Sequence, residues 1–164
     1  MEKRYDVFGI GNAIVDTEVQ VDDLLLSSLG LTKGIMTLVS VHEQASLVQA
    51  LANYAKHGAA GGSAANTMVG VAQYGGTSFF SGKVGNDISG ALYQKSLSEF
   101  GVEFDVEPYD QEPTGTCLVL VTPDGERTMQ TCLGAAAKID VHDVDIDRIA
   151  TSRFVYVEGY LFGS

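Results

Sequence analysis

The sequence predicts an α/β fold with a second, smaller β-sheet, and three observations lead to this prediction. An apolar run, Tyr5–Ile10, has the length and composition of a buried strand. Helix-like and strand-like patterns then alternate between residues 61 and 101, which is typical of βαβ units. Between residues 102 and 133, three strand-like segments follow one another without a helix, and such strands pair as antiparallel hairpins. The chain therefore combines an α/β body with a small antiparallel sheet.

Composition indicates one soluble domain with a sizeable core. The 164 residues are 45% hydrophobic and 19% charged, and no apolar run approaches the length of a membrane span. Glycine, asparagine and aspartate interrupt the apolar N-terminus, so a signal peptide is not expected. A net charge of −11 argues against nucleic acid or an anionic membrane as partner. Cys117 and Cys132 lack metal-ligand spacing and are expected to be buried thiols of a cytoplasmic protein.

The first strand leads into the turn GIGNAIVD, which carries a carboxylate. A dinucleotide fingerprint needs a third glycine opening a helix, but Ile14 holds the sixth position and a strand-like run follows, so a nucleotide-dependent oxidoreductase is disfavoured. Asp16 lies in that run, just beyond the carboxyl end of the first strand, where open α/β sheets bind ligands. From spacing alone, a solvated carboxylate at a strand edge is the favoured interpretation.

A short strand is predicted next at residues 34–39, followed by a helix from Ser40 to about Lys56. Ser40 and Glu43 form a capping box at the start of this helix, and Gly58 stops it. Apolar residues recur on one of its faces, so we expect it to pack against a core.

The stretch over residues 61–90 organises the chain. Gly61 and Gly62 allow the backbone to approach a ligand closely, and Ser63 is predicted to cap the helix that follows. Asn66 lies in the first turn of that helix, beside free N–H groups and the positive end of the helix dipole. A polar ligand would meet backbone donors and a side-chain amide together there. The alternative is a tight turn without a ligand, and no Walker A lysine follows the glycines.

A core strand at residues 77–82 and a helix over residues 87–100 follow. Asp87 can cap this helix, and Gly101 ends it.

The second sheet is then predicted from segments at residues 102–107, 116–122 and 127–133, joined by the strands near Asp16 and Ile35. After it, the sequence indicates a short acidic helix at residues 142–151 and a strand at residues 154–157.

Three signals in the central stretch together resemble the first signature of the PfkB or ribokinase family of carbohydrate kinases. They are GGSAAN from Gly61, the pair Gly75-Gly76, and the pattern G-x-x-G-x-D-x-x-G from Gly82 to Gly90. The resemblance implies a ribokinase-like three-layer α/β/α body, present in part, with a small antiparallel β lid that closes over the sugar site. The lid strands would lie within about residues 14–40 and 102–133. P-T-G-T-C at residues 113–117 and Ala135-Ala136-Ala137 resemble the adenosine kinase branch.

The resemblance also assigns roles to residues. In the pattern G-N-x-x-x-D, matched by Gly11, Asn12 and Asp16, the family's aspartate binds sugar hydroxyls, which a carboxylate can accept two at a time. The residues expected to bind the acceptor are Asn12, Asp16, Gly61, Gly62, Ser63 and Asn66, with Met36, Leu38 and Tyr160 as apolar contacts to a base. Each of these last three is equally compatible with core or rim packing.

The family's second signature is absent from the chain. It contains a G-A-G-D stretch, whose aspartate is the catalytic base, and an N-x-x-E stretch that helps hold magnesium; neither occurs here. Residues 1–164 therefore resemble the N-terminal portion of a kinase, without the C-terminal ATP-binding half. We expect ATP and magnesium to serve the full-length enzyme, and this chain alone to be inactive and to contain no metal site. Stopping at Ser164 would leave a sheet edge exposed, so self-association through that edge or the lid is expected.

Two alternatives concern the ligand and the class of function. Adenosine is the favoured acceptor, but Ala13 follows Asn12 where adenosine kinases often carry proline, and Tyr160-Leu161 replaces an aromatic pair. A sugar such as ribose or fructose is thus the second choice. A non-catalytic module that binds a sugar or nucleoside is the alternative from another class.

Overall fold

The computed structural model describes residues 3–162, which contain nine β-strands and five α-helices. The strands are β1 Tyr5–Ile10, β2 Ile14–Gln20, β3 Met36–Leu38, β4 His57–Gly61, β5 Ser78–Ser81, β6 Val102–Glu103, β7 Gly115–Val121, β8 Arg127–Cys132 and β9 Ser152–Val157. The helices are α1 Asp23–Ser28, α2 Val41–Ala50, α3 Ser63–Gln73, α4 Ile88–Glu99 and α5 Ile146–Ala150. Short 3₁₀ segments lie at Gly134–Lys138, Val141–Asp143 and Gly159–Phe162.

Four parallel strands form the body sheet in the order β6-β5-β1-β9. Helices α3 and α4 cover one face of this sheet, where Met68 and Phe80 are fully buried. The other face packs against α5, with Phe8, Phe79 and Ile149 in one cluster. Helices thus cover both faces of a parallel sheet, which confirms the predicted α/β/α body.

Five strands form the second sheet, the lid, in the order β3-β8-β7-β2-β4. Helices α1 and α2 cover its outer face, where Leu26 and Leu51 pack against Val19, Leu118 and Leu120. The inner face of the lid, opposite these helices, looks toward the body. Because side chains alternate across a sheet, each lid strand contributes every second residue to the inner face.

The lid is a mixed sheet. The predicted antiparallel pairing is confirmed for β7 with β8, and β2 pairs with β4 in the same way. The pairs β2–β7 and β3–β8 are parallel. These parallel partners are far apart in the sequence, so no turn signal could indicate their direction.

The strand predicted at residues 102–107 does not belong to the lid. Only Val102–Glu103 form β6, which pairs in parallel with β5 and places Val102 opposite Ser78. Helix α4 connects the two strands, so β5, α4 and β6 form a βαβ unit, whose strands are parallel. The prediction was wrong because it joined this segment to the strands that follow it rather than to the helix before it.

Two further differences lie next to each other in the chain. The capping box of Ser40 and Glu43 is confirmed, but α2 ends at Ala50 instead of reaching Lys56. The residues after it turn and enter β4, a strand that the glycine- and alanine-rich sequence of this segment does not indicate. β4 forms because its backbone pairs with β2 along the edge of the lid.

Strand β9 lies at the outer edge of the body sheet and carries exposed apolar side chains. Phe154 is 66% exposed, and Val155, Tyr156 and Val157 are also exposed. The sheet edge expected from the sequence is therefore present and apolar in the described part of the chain. No helix within residues 3–162 is both long and apolar enough to cross a membrane.

Candidate functional site

A cavity of about 540 Å³ lies between the inner face of the lid and the N-terminal end of α3. Every residue that the sequence predicted for the site, except one, lines this cavity: Asn12, Asp16, Met36, Leu38, Gly62, Ser63, Asn66 and Tyr160. The exception is Gly61, which lies directly behind Asp16. The structure thus brings the predicted residues together at one place, where the body and the lid meet.

Asp16 projects from β2, an interior strand of the lid, and lines the cavity. β2 pairs with β4 on one side and β7 on the other, so Asp16 has Ala59 and Cys117 as its neighbours across the sheet. Burial raises the pKa of the Asp16 carboxyl above its ordinary value, and the charge of Arg127 partly offsets this rise. The solvated carboxylate at a strand edge, favoured from spacing alone, is therefore wrong. Asp16 is a partly desolvated group inside a cavity.

The two glycines before α3 are required by close approaches. A Cβ at Gly61 would overlap the carboxylate of Asp16, and a Cβ at Gly62 would overlap the backbone oxygen of Asn12. Gly62 also has a φ of +92°, which side chains disfavour. The sequence predicted that the backbone of these glycines would approach a ligand closely. In the structure, it closely approaches Asp16 and Asn12, two polar residues of the site.

Ser63 does not cap α3 as the sequence suggested. Gly62 is the N-cap residue and makes no side-chain capping bond, and Ser63 is the first helical residue. The Ser63 hydroxyl instead donates a 2.8 Å hydrogen bond to Oε2 of Glu158. The same oxygen accepts a longer bond, 3.4 Å, from the backbone N–H of Ala64. The carboxylate that interacts with the N-terminal end of the α3 dipole thus belongs to Glu158, a residue far from α3 in the sequence.

Glu158 is the main residue of the site that sequence reasoning missed. It follows β9 directly and is only 2% exposed, although it is charged. Its Oε1 accepts bonds from the backbone N–H of Asn12, at 2.7 Å, and from Asn12 Nδ2, at 2.6 Å. A carboxylate immediately after a predicted apolar strand was the available signal, because ligands bind at the carboxyl ends of parallel strands.

A buried tyrosine supports the glycine turn from behind. The Tyr93 hydroxyl on α4 donates a 3.0 Å bond to the backbone oxygen of Gly61. Burial raises the pKa of Tyr93 well above its usual value, and the charges of Glu158 and Asp16 raise it further. The hydroxyl therefore keeps its proton and remains a donor to the turn.

The inner face of the lid forms a mostly apolar wall of the cavity. Strand register places Asp16, Cys117 and Thr131 in one row across β2, β7 and β8, with Leu38 beside Thr131. In the next row, Met36 lies beside Met129. The apolar side chains that line the cavity are Ile14, Met36, Leu38, Met129 and Leu133. Polar groups therefore concentrate at the end near α3, and apolar groups cover the lid side.

The lining residues of the lid that were not predicted for the site include three with polar or titratable side chains, Cys117, Arg127 and Thr131. Cys117 is buried, and burial raises the pKa of its thiol, so the thiol stays protonated. Thr131 donates a 3.2 Å bond to the Cys117 sulfur. Arg127, at the start of β8, is the cation of this cavity and lies on the same strand face as Met129 and Thr131. The alternation of residues 127–133 contained this signal, because every second residue of the strand shares a face.

A smaller cavity of about 270 Å³ adjoins the first at the carboxyl end of β1. Asn12, Leu133 and Tyr160 line both cavities. Tyr160 is 64% exposed, so it forms a rim between them rather than part of a core.

No group of three or more histidine, cysteine, aspartate or glutamate side chains within residues 3–162 is placed to hold a metal ion. The polar end of the larger cavity instead offers oxygen atoms of Asn12, Asp16 and Ser63. These groups can accept hydrogen bonds from hydroxyls of a small ligand.

A sequence profile described as pfkB family carbohydrate kinase matches residues 25–164. Two solved structures share the fold across nearly the whole chain. One is an adenosine kinase from Sinorhizobium meliloti, with 40% identity, a TM-score of 0.89, and coverage of 97% of this chain and 48% of that one. The other is a probable sugar kinase from Rhizobium etli, with 36% identity, a TM-score of 0.90, and coverage of 98% and 48%.

Among curated proteins, a fructokinase from Escherichia coli is 38% identical over 87 residues, which are 52% of this chain and 28% of that protein. The chain spans about half the length of the solved structures that it matches. The part of the chain that matches these solved structures includes both the body and the lid.

Proposed function

The chain belongs to the pfkB family of carbohydrate kinases, and on that premise we propose that it forms the acceptor-binding part of an ATP-dependent phosphotransferase. The acceptor would be a hydroxyl compound, with a nucleoside such as adenosine favoured and a sugar second. One observation carries the proposal: Asp16 and Asn12 lie together at the polar end of a 540 Å³ cavity, beside the N-terminal end of α3. A carboxylate and an amide oxygen at this end suit neighbouring ligand hydroxyls.

The shape of the cavity favours a nucleoside over a free sugar. A sugar would engage the polar end and leave the lid wall of Met36, Leu38 and Met129 without a partner. A nucleoside carries a planar apolar base on its sugar, and burying that base against the wall is favourable. The adenosine kinase among the structural relatives agrees with this choice.

A sugar acceptor is supported by a different observation. The Escherichia coli fructokinase and the probable sugar kinase of Rhizobium etli match this chain at 38% and 36% identity. A monosaccharide would occupy the polar end alone, and the lid would close over it with fewer contacts. The two candidates therefore differ in the use they make of the apolar wall.

ATP and magnesium would be bound by residues that this chain does not contain. The sequence has no G-A-G-D stretch, and the described residues include no cluster of acidic ligands that fits a metal ion. In the proposal, ATP supplies the phosphoryl group, and the 164 residues bind and orient the acceptor. We therefore expect no phosphoryl transfer by the 164-residue chain alone. By itself, the chain would only bind the acceptor.

The proposal extends to location and association. Cys117 and Cys132 are unpaired and buried, as expected for a cytoplasmic protein. Nucleic acid is not a proposed partner, because the net charge is −11. Self-association would proceed through β9, whose exposed apolar edge can pair with another strand.

The test is calorimetric titration of the purified chain, without ATP, with adenosine, ribose and fructose. Asp16→Asn removes the carboxylate and is expected to weaken acceptor binding by about tenfold or more. Glu18→Gln is the matched control, because Glu18 lies two residues further along β2 and is exposed. Equal affinity of the Asp16→Asn variant and the wild type would overturn the assignment. If none of the three compounds binds, the proposed acceptor-binding role is contradicted. If this chain phosphorylates any of them, the expectation that it is inactive alone is contradicted.

A further inference from the structure

The smaller cavity, at the carboxyl end of β1, is mainly apolar. Its walls are the end of β1 and the three 3₁₀ segments that follow β8 and β9. Eight of the eleven lining residues among residues 3–162 are apolar, including Ile10, Ile139 and Val144. A water molecule in this cavity would find few hydrogen-bond partners, whereas an apolar group would contact the walls and leave water. The cavity therefore suits an apolar occupant.

Hydrogen bonds from the body hold one wall of the smaller cavity in place. Lys83 donates to the backbone oxygen of Lys138, at 3.0 Å, and to Oδ2 of Asp143, at 2.7 Å. The Ser81 hydroxyl donates a 2.6 Å bond to the backbone oxygen of Asp143. Both ends of the wall segment 138–143 are thus fixed to residues at the end of β5 and just after it. The fold itself sets the shape of this cavity, as is usual for small-molecule sites.

The smaller cavity adjoins the larger one along Asn12, Leu133 and Tyr160, which line both. A molecule in the larger cavity can therefore extend past these residues into the smaller one. An apolar cavity of about 150 Å³ holds a benzene ring. The smaller cavity measures about 270 Å³. One aromatic ring or a branched alkyl group thus fits beside the acceptor.

The position of Leu133 indicates which part of the acceptor would extend. Leu133 directly follows β8, and it lines the larger cavity together with Met129 of that strand. Met129 belongs to the apolar wall against which the base of a nucleoside is proposed to lie, while Asp16 is at the end proposed for the sugar. The boundary of the smaller cavity is therefore next to the base.

We propose that the smaller cavity is a subsite for an apolar substituent on the base of the acceptor, so that the chain prefers a base-substituted nucleoside to adenosine itself. The inference rests on the proposed function, because it takes a nucleoside to occupy the larger cavity. A polar substituent of the same size would lose its contacts with water and gain few partners. The subsite thus selects by apolar surface and by size.

Calorimetric titration of the full 164-residue chain with adenosine, N⁶-benzyladenosine and 2-phenyladenosine tests the inference. We expect at least one of the two substituted nucleosides to bind about tenfold or more tightly than adenosine, because its ring leaves water. The ring is at a different position of the base in each compound, so the test does not depend on one orientation. If adenosine binds and neither substituted nucleoside binds more tightly, the inference is overturned and the proposed function stands.

The variant Ala137→Phe tests whether the smaller cavity holds the substituent. Ala137 is exposed and lines the smaller cavity but not the larger one, so a phenyl ring at this position would fill the subsite. We expect the advantage of the substituted nucleoside over adenosine to disappear in this variant. Because the readout is a ratio of two affinities, a general loss of binding cancels.

Ala91→Phe is the matched control. Ala91 is exposed on α4 and lines neither cavity, so this variant should keep the wild-type ratio. The wild-type ratio in Ala137→Phe as well would mean that the substituent binds elsewhere, and it would overturn the inference.

Benzene provides a readout that needs no nucleoside. In nuclear magnetic resonance spectra, it should shift the methyl signals of Ile10, Ile139 and Val144 in the wild type but not in Ala137→Phe. Unshifted signals in the wild type would overturn the inference. If benzene shifts these signals but no nucleoside binds, the proposed function is overturned, and the smaller cavity is not a subsite for an acceptor.

Discussion

The carboxylate of Asp16 occupies the space that a side chain at Gly61 would need. The two residues lie on paired strands of the lid: Asp16 is on β2, and Gly61 is at the end of β4. Gly62 alone separates Gly61 from the start of α3. The absence of a side chain at Gly61 thus makes room for the carboxylate of Asp16. We therefore expect acceptor binding and the stability of the fold to depend on the same contact.

Substituting Gly61 with alanine is expected to disturb both properties. Overpacking at this buried site should cost about 1–3 kcal/mol of unfolding free energy, because the Asp16 carboxylate must move. Acceptor binding should weaken with it. Gly70→Ala is the matched control, since Gly70 is inside α3 with open space around its Cβ direction, and it should stabilise the chain by up to about 1 kcal/mol. Urea unfolding and calorimetry of both variants give the comparison, and equal stability of the two would contradict the expectation.

Acceptor binding should depend on pH through Asp16. Burial raises the pKa of this carboxyl above its ordinary value of 3.8, with Arg127 acting in the opposite direction. The ionised form is the stronger hydrogen-bond acceptor, so affinity should be constant near neutral pH and fall as the pH drops through the raised pKa. Titrations between about pH 8 and pH 3 measure this decline. The Asp16→Asn variant should bind weakly with little pH dependence, and a wild-type decline that begins only below the ordinary value would refute the burial effect.

The same carboxylate should lower the stability of the fold. Because the folded-state pKa of Asp16 is raised, the folded chain holds this proton more tightly than the unfolded chain does. Ionised Asp16 therefore opposes folding at neutral pH, and this cost is relieved as the pH falls through the folded-state pKa. Asp16→Asn should accordingly show a higher Tm than the wild type at pH 7, although it binds the acceptor less well. A lower Tm would show that the carboxylate is stabilised by contacts beyond those described.

Asp87 is expected to hold the lid at its junction with the body. Its carboxylate accepts bonds from the hydroxyl of Thr114, at 2.6 Å, and from the N–H groups of Thr114 and Gly90, both at 2.8 Å. Burial acts to raise the pKa of Asp87, but the bonds from Thr114 and Gly90 outweigh it and lower that pKa. This stabilisation is present above the unfolded-state pKa and is lost as the pH falls through the folded-state pKa.

Asp87→Ala should therefore cost about 1–3 kcal/mol, since it removes both the cap of α4 and the link to Thr114. Asp22→Ala is a suitable control, because Asp22 caps α1 with a single bond to Leu25 and should cost less. Chemical denaturation at neutral pH compares the two variants. A larger loss for Asp22→Ala would argue against the junction.

The edge of the body sheet should make the chain self-associate. Strand β9 exposes Phe154 and Tyr156 along an edge with free backbone groups on its outer side. Sedimentation velocity should show a weight-average mass that rises with concentration, and a charged substitution, Phe154→Lys, should reduce the rise. Tyr74→Lys is the control, because Tyr74 is 96% exposed at the end of α3, away from β9. A monomer at every concentration would count against association through this edge.

Local elements were largely predictable from the sequence. The strand Tyr5–Ile10, the helix capped by Asp87 and the capping box at Ser40 follow from patterns within a few residues, and the structure confirms each. The predicted site residues other than Gly61 also meet in one cavity, and five of them, Asn12, Asp16, Gly62, Ser63 and Asn66, belong to the family motifs. The failures were β4, the extent of α2, the placement of β6 and helix α1, which was not predicted.

Interactions between distant segments were decided by the tertiary structure alone. Ser63 has the residue type and position of a helix cap, but Glu158 lies close enough in the folded chain to accept its hydrogen bond. Asp16 reads as an exposed carboxylate in an alternating strand, but β4 and β7 enclose it on both sides. The sequence by itself determined most of the strands and helices and the glycine turns, because these depend on short-range sterics and periodicity, and the family motif indicated the residues proposed to bind the acceptor. Burial, partner and charge environment depend on which remote segments pack together, so only the folded structure decided them.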